Sequence, residues 1–143
     1  MINQFLTARR DPRLAVLEGF HALKHALRFG ANIVSAVGTG RDDVASLAAE
    51  LAPDVADQIL GSIEWVDEAA FGLLAPEPPA TGVIAIARRP RVDPESVVGD
   101  SSSAPIVFLE RPNHFGNIGA VVRVAAAAGA AGVLTTGDRD PWH

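Results

Sequence analysis

The 143-residue sequence has no cysteine, so it carries neither a disulfide framework nor a thiolate for nucleophilic or redox chemistry. It has no apolar run near the ~20 residues that a membrane-spanning helix requires. Its first residues, Met-Ile-Asn-Gln-Phe-Leu-Thr-Ala-Arg-Arg, lack the ordered basic region, apolar stretch and small-residue cleavage site of a signal peptide. A cytoplasmic protein without a membrane partner is expected. Excess positive charge is missing as well, and a net charge of −5 argues against a chain that coats nucleic acid indiscriminately. What is present is 48% apolar residues, enough for a true core, with glycine and proline punctuating the whole length.

The charges are unevenly placed. Residues 1–30 hold Arg9, Arg10, Arg13, Lys24 and Arg28 against Asp11 and Glu18, a local +3. Residues 41–80 hold nine acids against Arg41 alone, and residues 81–91 return to +3 through Arg88, Arg89 and Arg91. Two basic islands around an acidic middle permit a localised phosphate-binding face. Arginines scattered on a solvated surface would give the same count.

The stretch Val92–Pro105, rich in Pro, Gly and Ser, has the composition of a linker. Before it, strands and helices alternate. Leu14–Leu17 is either a short strand or the first turn of a helix, and Asp11-Pro12 would also start a helix. From Phe20, apolar Phe20, Leu23 and Leu27 face one way and His21, Lys24, His25 and Arg28 the other, with Gly30 as the stop. Ile33–Val37 reads as a buried strand, Asp42–Leu51 and Asp54–Leu60 as helices, and Ile63–Val66 as a strand. Asp67 then caps a short helix, and Gly82–Ala87 is a clear strand. After the linker, Ile106–Leu109, Ile118–Ala128 and Gly132–Thr135 make one βαβ unit, with Arg111–Asn117 as the loop into its helix. A single βαβ cannot cover both faces of its sheet, so this second unit reads as unfinished.

The same βαβ holds the informative motif. A strand delivers Gly116-Asn117-Ile118-Gly119 to a helix N-terminus, where exposed backbone N–H groups suit an anionic or strongly polar ligand. Arg123 follows six residues after Asn117 among apolar and small neighbours, so it must reach solvent or a specific polar partner. The residues alone favour a surface arginine and a turn-forming asparagine over a site. The glycine spacing does not fit a dinucleotide fingerprint. His21 and His25 stand one helical turn apart, yet no glutamate base or cysteine ligand accompanies them, and a solvated basic face is expected with no metal. His114 is a loop residue open to either RNA contact or solvent. Trp65, Phe20 and Phe29 are expected in the core.

The stretch from Ile106 to His143 resembles the first motif of the SpoU (TrmH-like) RNA ribose methyltransferases of the SPOUT superfamily. The match comprises the strand, Gly116-Asn117-Ile118-Gly119-Ala120, Arg123, the Ala-rich helix ending in Ala-Gly, and Gly137-Asp138-Arg139-Asp140-Pro141-Trp142. Leu17-Glu18-Gly19 and the Gly-Val-Ile-Ala strand ending in Arg88-Arg89-Pro90 are similar to that family's small RNA-binding domain. One departure is His114-Phe115, where the family usually has Asp-Pro.

The resemblance implies an α/β fold. A small N-terminal RNA-binding domain (1–98) and a linker (99–104) would precede the opening βαβ of a trefoil-knot methyltransferase domain (105–143), truncated before the knot. It implies 2′-O-ribose methylation of a structured RNA, rRNA or tRNA, with S-adenosylmethionine as cofactor, and a homodimer for the intact protein. Asn117 and Arg123 are the implied catalytic residues, and Arg10, Arg13, Arg88 and Arg89 the expected RNA contacts. The cofactor pocket is expected beyond His143, so this chain alone is expected to be inactive. The alternative is an RNA-binding module without catalytic activity.

Overall fold

The computed structural model describes residues 2–99 and 103–142. The chain forms two compact units, Met1–Arg89 and Pro90–His143.

The first unit runs α1 (Ile2–Ala8), β1 (Leu14–Glu18), α2 (Phe20–Arg28), β2 (Ile33–Gly38), α3 (Arg41–Leu51), α4 (Ala56–Ser62), β3 (Ile63–Trp65), α5 (Glu68–Gly72) and β4 (Val83–Arg88). The sheet order is β1-β4-β2-β3, with β4 antiparallel to both neighbours and β2 parallel to β3. β4 is interior and covered on both faces, which is why Val83–Ala87 reads as an unbroken apolar run rather than an alternation. Val83 and Ala85 join Phe20, Leu23, Leu27, Val44, Ala48 and Ile59 from α2, α3 and α4. Ile84 and Ile86 turn the other way, onto Phe5 and Ala8 of α1 and Phe71 and Leu74 around α5. The result is a sheet between two helical layers.

Pairing of β1 along its whole length with β4 decides the ambiguity at Leu14–Leu17 in favour of a strand, with Leu14 opposite Arg88. The alternative helix start at Asp11-Pro12 is overturned because the Asp11 carboxylate caps Arg13 instead, accepting its backbone N–H at 2.9 Å. α1 carries no sequence signal beyond Phe5 and Ala8, the pair it buries. Asp67 caps α5 as expected, accepting the Ala70 N–H at 2.7 Å.

Two aromatic expectations need correction. Phe20 is fully buried but Phe29 is 85% exposed. Nine residues of α-helix amount to two and a half turns, so Phe29 emerges opposite Phe20. Trp65 is half-buried at the sheet edge, with the Arg41 guanidinium 5.7 Å above its ring.

The second unit contains α6 (Pro94–Gly99), β5 (Ile106–Leu109), α7 (Phe115–Ala127) and β6 (Gly132–Thr135). The strands are parallel, with Ile106 opposite Gly132 and Leu109 opposite Thr135. α6 stands inside the stretch expected to be linker; Asp93-Pro94-Glu95 is a helix start, and the Asp93 carboxylate accepts the Glu95 N–H at 3.1 Å. Residues 100–102 of the expected linker lie outside the described residues. α7 begins at Phe115, so Gly116 and Asn117 form its first turn rather than the end of a loop. Among the described residues of this unit only Ile118 and Ala125 are buried hydrophobics, while Phe108 is 60% exposed. A two-stranded sheet with one packed helix leaves such surface in water.

Candidate functional site

α7 starts with His114 as its N-cap, whose carbonyl accepts the N–H groups of Asn117 and Ile118 at 3.1 Å each. Asn117 and Arg123 are both exposed. The Arg123 Nη1 lies 3.5 Å from where a Cβ on Gly119 would stand, so the guanidinium folds back along the helix toward its N-terminus. Six helical residues separate Asn117 from Arg123 by about 120° around the axis and about 9 Å along it. The two side chains do not meet, and among the described residues neither has a hydrogen-bond or ion-pair partner.

Beside this helix start, the loops after β5 and β6 pack on each other. The Arg111 N–H donates to Thr136 Oγ1 at 3.2 Å. Arg111 holds a left-handed φ of 44°, strained for a residue with a side chain. Gly137, at φ 91°, lets the second loop pass, since a Cβ there would stand 3.2 Å from the Arg111 Cα. Between them lies a concavity of about 750 Å³, lined by Glu110, Arg111, Asn113, Thr136, Asp138 and Arg139 among others. It opens at the carboxyl ends of parallel strands, the usual ligand side of α/β folds. Arg139 also lies 5.5 Å over the Phe115 ring. Sequence reasoning passed over Arg111 and Arg139; their position just past two parallel strand ends was the available signal.

In the first unit, the pairing of β1 with β4 brings the two basic islands to one end of the sheet. The Arg89 N–H donates to the Arg13 carbonyl at 2.9 Å, and Arg89 Nε donates to the Leu14 carbonyl at 2.6 Å. Arg89 is half-buried and holds the strand pair together, whereas Arg88 is exposed. Arg13 is committed to Asp11 by a fork, Nε to Oδ1 at 2.9 Å and Nη2 to Oδ2 at 2.7 Å. That pairing lowers the Asp11 pKa to about 2. Arg10 sits in the turn after α1, exposed.

Neither a protein-family model nor a curated protein sequence matches the chain. Solved structures do. An AdoMet-bound rRNA methyltransferase from Sinorhizobium meliloti is 26% identical over 94% of this chain and 48% of its own, with a TM-score of 0.62. An RNA 2′-O ribose methyltransferase is 27% identical over 99% of this chain and 53% of its own, with a TM-score of 0.58. The SpoU methyltransferase AviRb from Streptomyces viridochromogenes, at 20% identity and a TM-score of 0.67, shares the fold. The chain spans about half the length of these structures. In fold and in order of elements the chain is similar to these solved RNA methyltransferases, one of them a SpoU methyltransferase.

Proposed function

We propose that the intact protein transfers a methyl group from S-adenosylmethionine to a ribose 2′-hydroxyl of a structured RNA, rRNA or tRNA. The observation that carries this reading is the likeness to RNA methyltransferases across both units, joined to an exposed Asn117 and Arg123 on the helix that opens the second. The first unit acts as the substrate-binding part and the βαβ as the start of the methyltransferase domain.

S-adenosylmethionine, when bound, supplies an electrophilic methyl on a sulfonium. The concavity at the ends of β5 and β6 does not fit it by itself. The polar concavity carries two carboxylates and two guanidiniums and no aromatic or apolar slot for an adenine beyond Phe108 and Pro112. No described residue is therefore assigned to the cofactor, and the intact protein acts as a homodimer completed by the rest of the fold.

The chain's own contribution lies on the RNA side. A 2′-hydroxyl is a weak nucleophile until it gives up its proton. Arg123 cannot take that proton, because a guanidinium stays charged at ordinary pH. Its role is to hold the adjacent phosphate and stabilise the developing alkoxide. Asn117, in the first turn of α7, orients the loop against the substrate. In the first unit the exposed Arg10 and Arg88 meet RNA phosphates, beside Arg13 and Arg89, which Asp11 and the Leu14 carbonyl hold in place.

A second reading, an RNA-binding module without activity, is favoured by one fact: the second unit buries only Ile118 and Ala125 among its described hydrophobics. A methyl-transfer assay on this chain, and on the chain extended past His143, separates the two. Label should enter RNA only with the extended form, and a 2′-deoxy substitution at the target should abolish it. An extended form that binds RNA yet leaves every 2′-hydroxyl unmethylated overturns the enzymatic reading.

A further inference from the structure

Phe29 is the most exposed of the large hydrophobic side chains described, at 85%. Its position is not loose. The Phe29 N–H donates to the His25 carbonyl at 3.0 Å, and Ala31 closes the helix end by donating to the Ala26 carbonyl at 2.8 Å. Gly30, at φ 70°, allows that closing turn. One ring face is backed by the His25 imidazole, with centroids 6.3 Å apart and planes 18° from parallel. The rest of the ring stands in water.

The surroundings are polar rather than apolar. His21, Lys24, His25 and Arg28 share this helix; Lys24 is buried against the first unit rather than turned to solvent, and Arg28 is anchored to Asp54 through Nε at 2.7 Å. Burial, followed by the nearby Lys24, Arg28 and His21 charges, holds the His25 pKa below its usual 6.5. A protein partner or a second copy would call for a contiguous apolar patch. Here a single aromatic ring stands among polar groups, next to Gly30 and the exposed Asn32, whose carbonyl accepts the N–H of the exposed Arg88 at 2.9 Å. That is the chemistry of a stacking platform for an unpaired base on a polyanionic strand.

We propose that the His25–Phe29 stack is a second RNA contact, which takes one unpaired nucleobase of a loop or bulge onto the free face of Phe29. The inference rests on the RNA-binding reading of the first unit. It adds base stacking on α2 to phosphate contacts at the β1–β4 end of the sheet.

The test uses the 143-residue chain and two labelled RNAs, a hairpin with an unpaired loop and a blunt duplex of equal length. Phe29→Ala and Phe29→Leu should each weaken hairpin binding about 5- to 100-fold, the range expected for one lost aromatic stack. Phe29→Trp should retain it. Duplex affinity and the salt slope of binding should stay unchanged, since stacking releases no counterions. Circular dichroism should show all three variants folded. If Phe29→Ala binds the hairpin like wild type while Arg88→Ala/Arg89→Ala still weakens it, the platform fails and the RNA reading stands. If Phe29→Leu binds like wild type while Phe29→Ala does not, the site is an apolar contact, and stacking is overturned. If the unmodified chain binds neither RNA, the RNA reading falls and the platform with it.

Discussion

At the scale of single residues, charge pairing decides which arginines are free to meet a phosphate. Arg13 is neutralised by the Asp11 carboxylate, which stays ionised until the pH nears 2. Asp11→Asn should therefore tighten RNA binding and steepen its salt dependence by about one unit of slope, as one more phosphate contact becomes available. Unchanged affinity in a salt titration would mean that Arg13 lies off the RNA path. The lowered Asp11 pKa also has a sign. The ion pair contributes stability above the ordinary value of 3.8, and the contribution is lost as pH falls through about 2. Arg123 behaves differently, since nothing among the described residues holds it. In an extended, cofactor-competent form, Arg123→Ala should leave folding intact and lower single-turnover methyl transfer by ~10²-fold or more. Arg123→Lys should rescue little, because an ammonium cannot span two oxygens as a planar fork does. Wild-type rates in both variants would make it an ordinary surface arginine.

At the scale of elements, close approach matters more than propensity. β2 ends at Gly38, where an added Cβ would stand 2.8 Å from Ile63 Cγ2 and 3.1 Å from Trp65 Cζ3 on β3. The parallel β2–β3 pair can come together only because that position carries no side chain. Gly38→Ala should cost about 1–3 kcal/mol, as overpacking does in a filled core, and lower the urea midpoint of the first unit. An unchanged midpoint would show that β3 can shift outward without loss. The helix–strand alternation was legible in the sequence wherever an element was long or interior: α2, α3, β4 and the βαβ all stand close to where periodicity placed them. α1 and α6 were not legible. A helix of six or seven residues shows too little of its period, and proline with serine around α6 has the composition of a linker.

At the scale of the whole molecule, the two units differ in how much they bury. Residues 1–89 enclose two apolar clusters, one on each face of a four-stranded sheet. Residues 90–143 bury two hydrophobics among those described and leave Phe108, Val122 and Val124 exposed. Residues 1–89 expressed alone should unfold in one cooperative transition. Residues 90–143 alone should show none and should bind a hydrophobic dye, as a chain this short with so little core would. A sharp transition in the second piece would refute this division of stability. Calorimetric titration of the 143-residue chain with S-adenosylmethionine should show no binding, and micromolar binding would relocate the pocket to the residues described here. The sequence by itself determined what short-range pattern encodes: the α/β alternation, the Gly-Asn-Ile-Gly turn before an Ala-rich helix, and two basic islands. Only the tertiary structure decided which arginines are spent on internal partners, because Arg13 and Arg89 find theirs through a turn and a strand pairing. The exposure of Phe29, by contrast, follows from helical phase alone, since nine residues turn it away from the face Phe20 buries. Contacts made across a sheet depend on register and packing, which no local pattern of residue types carries.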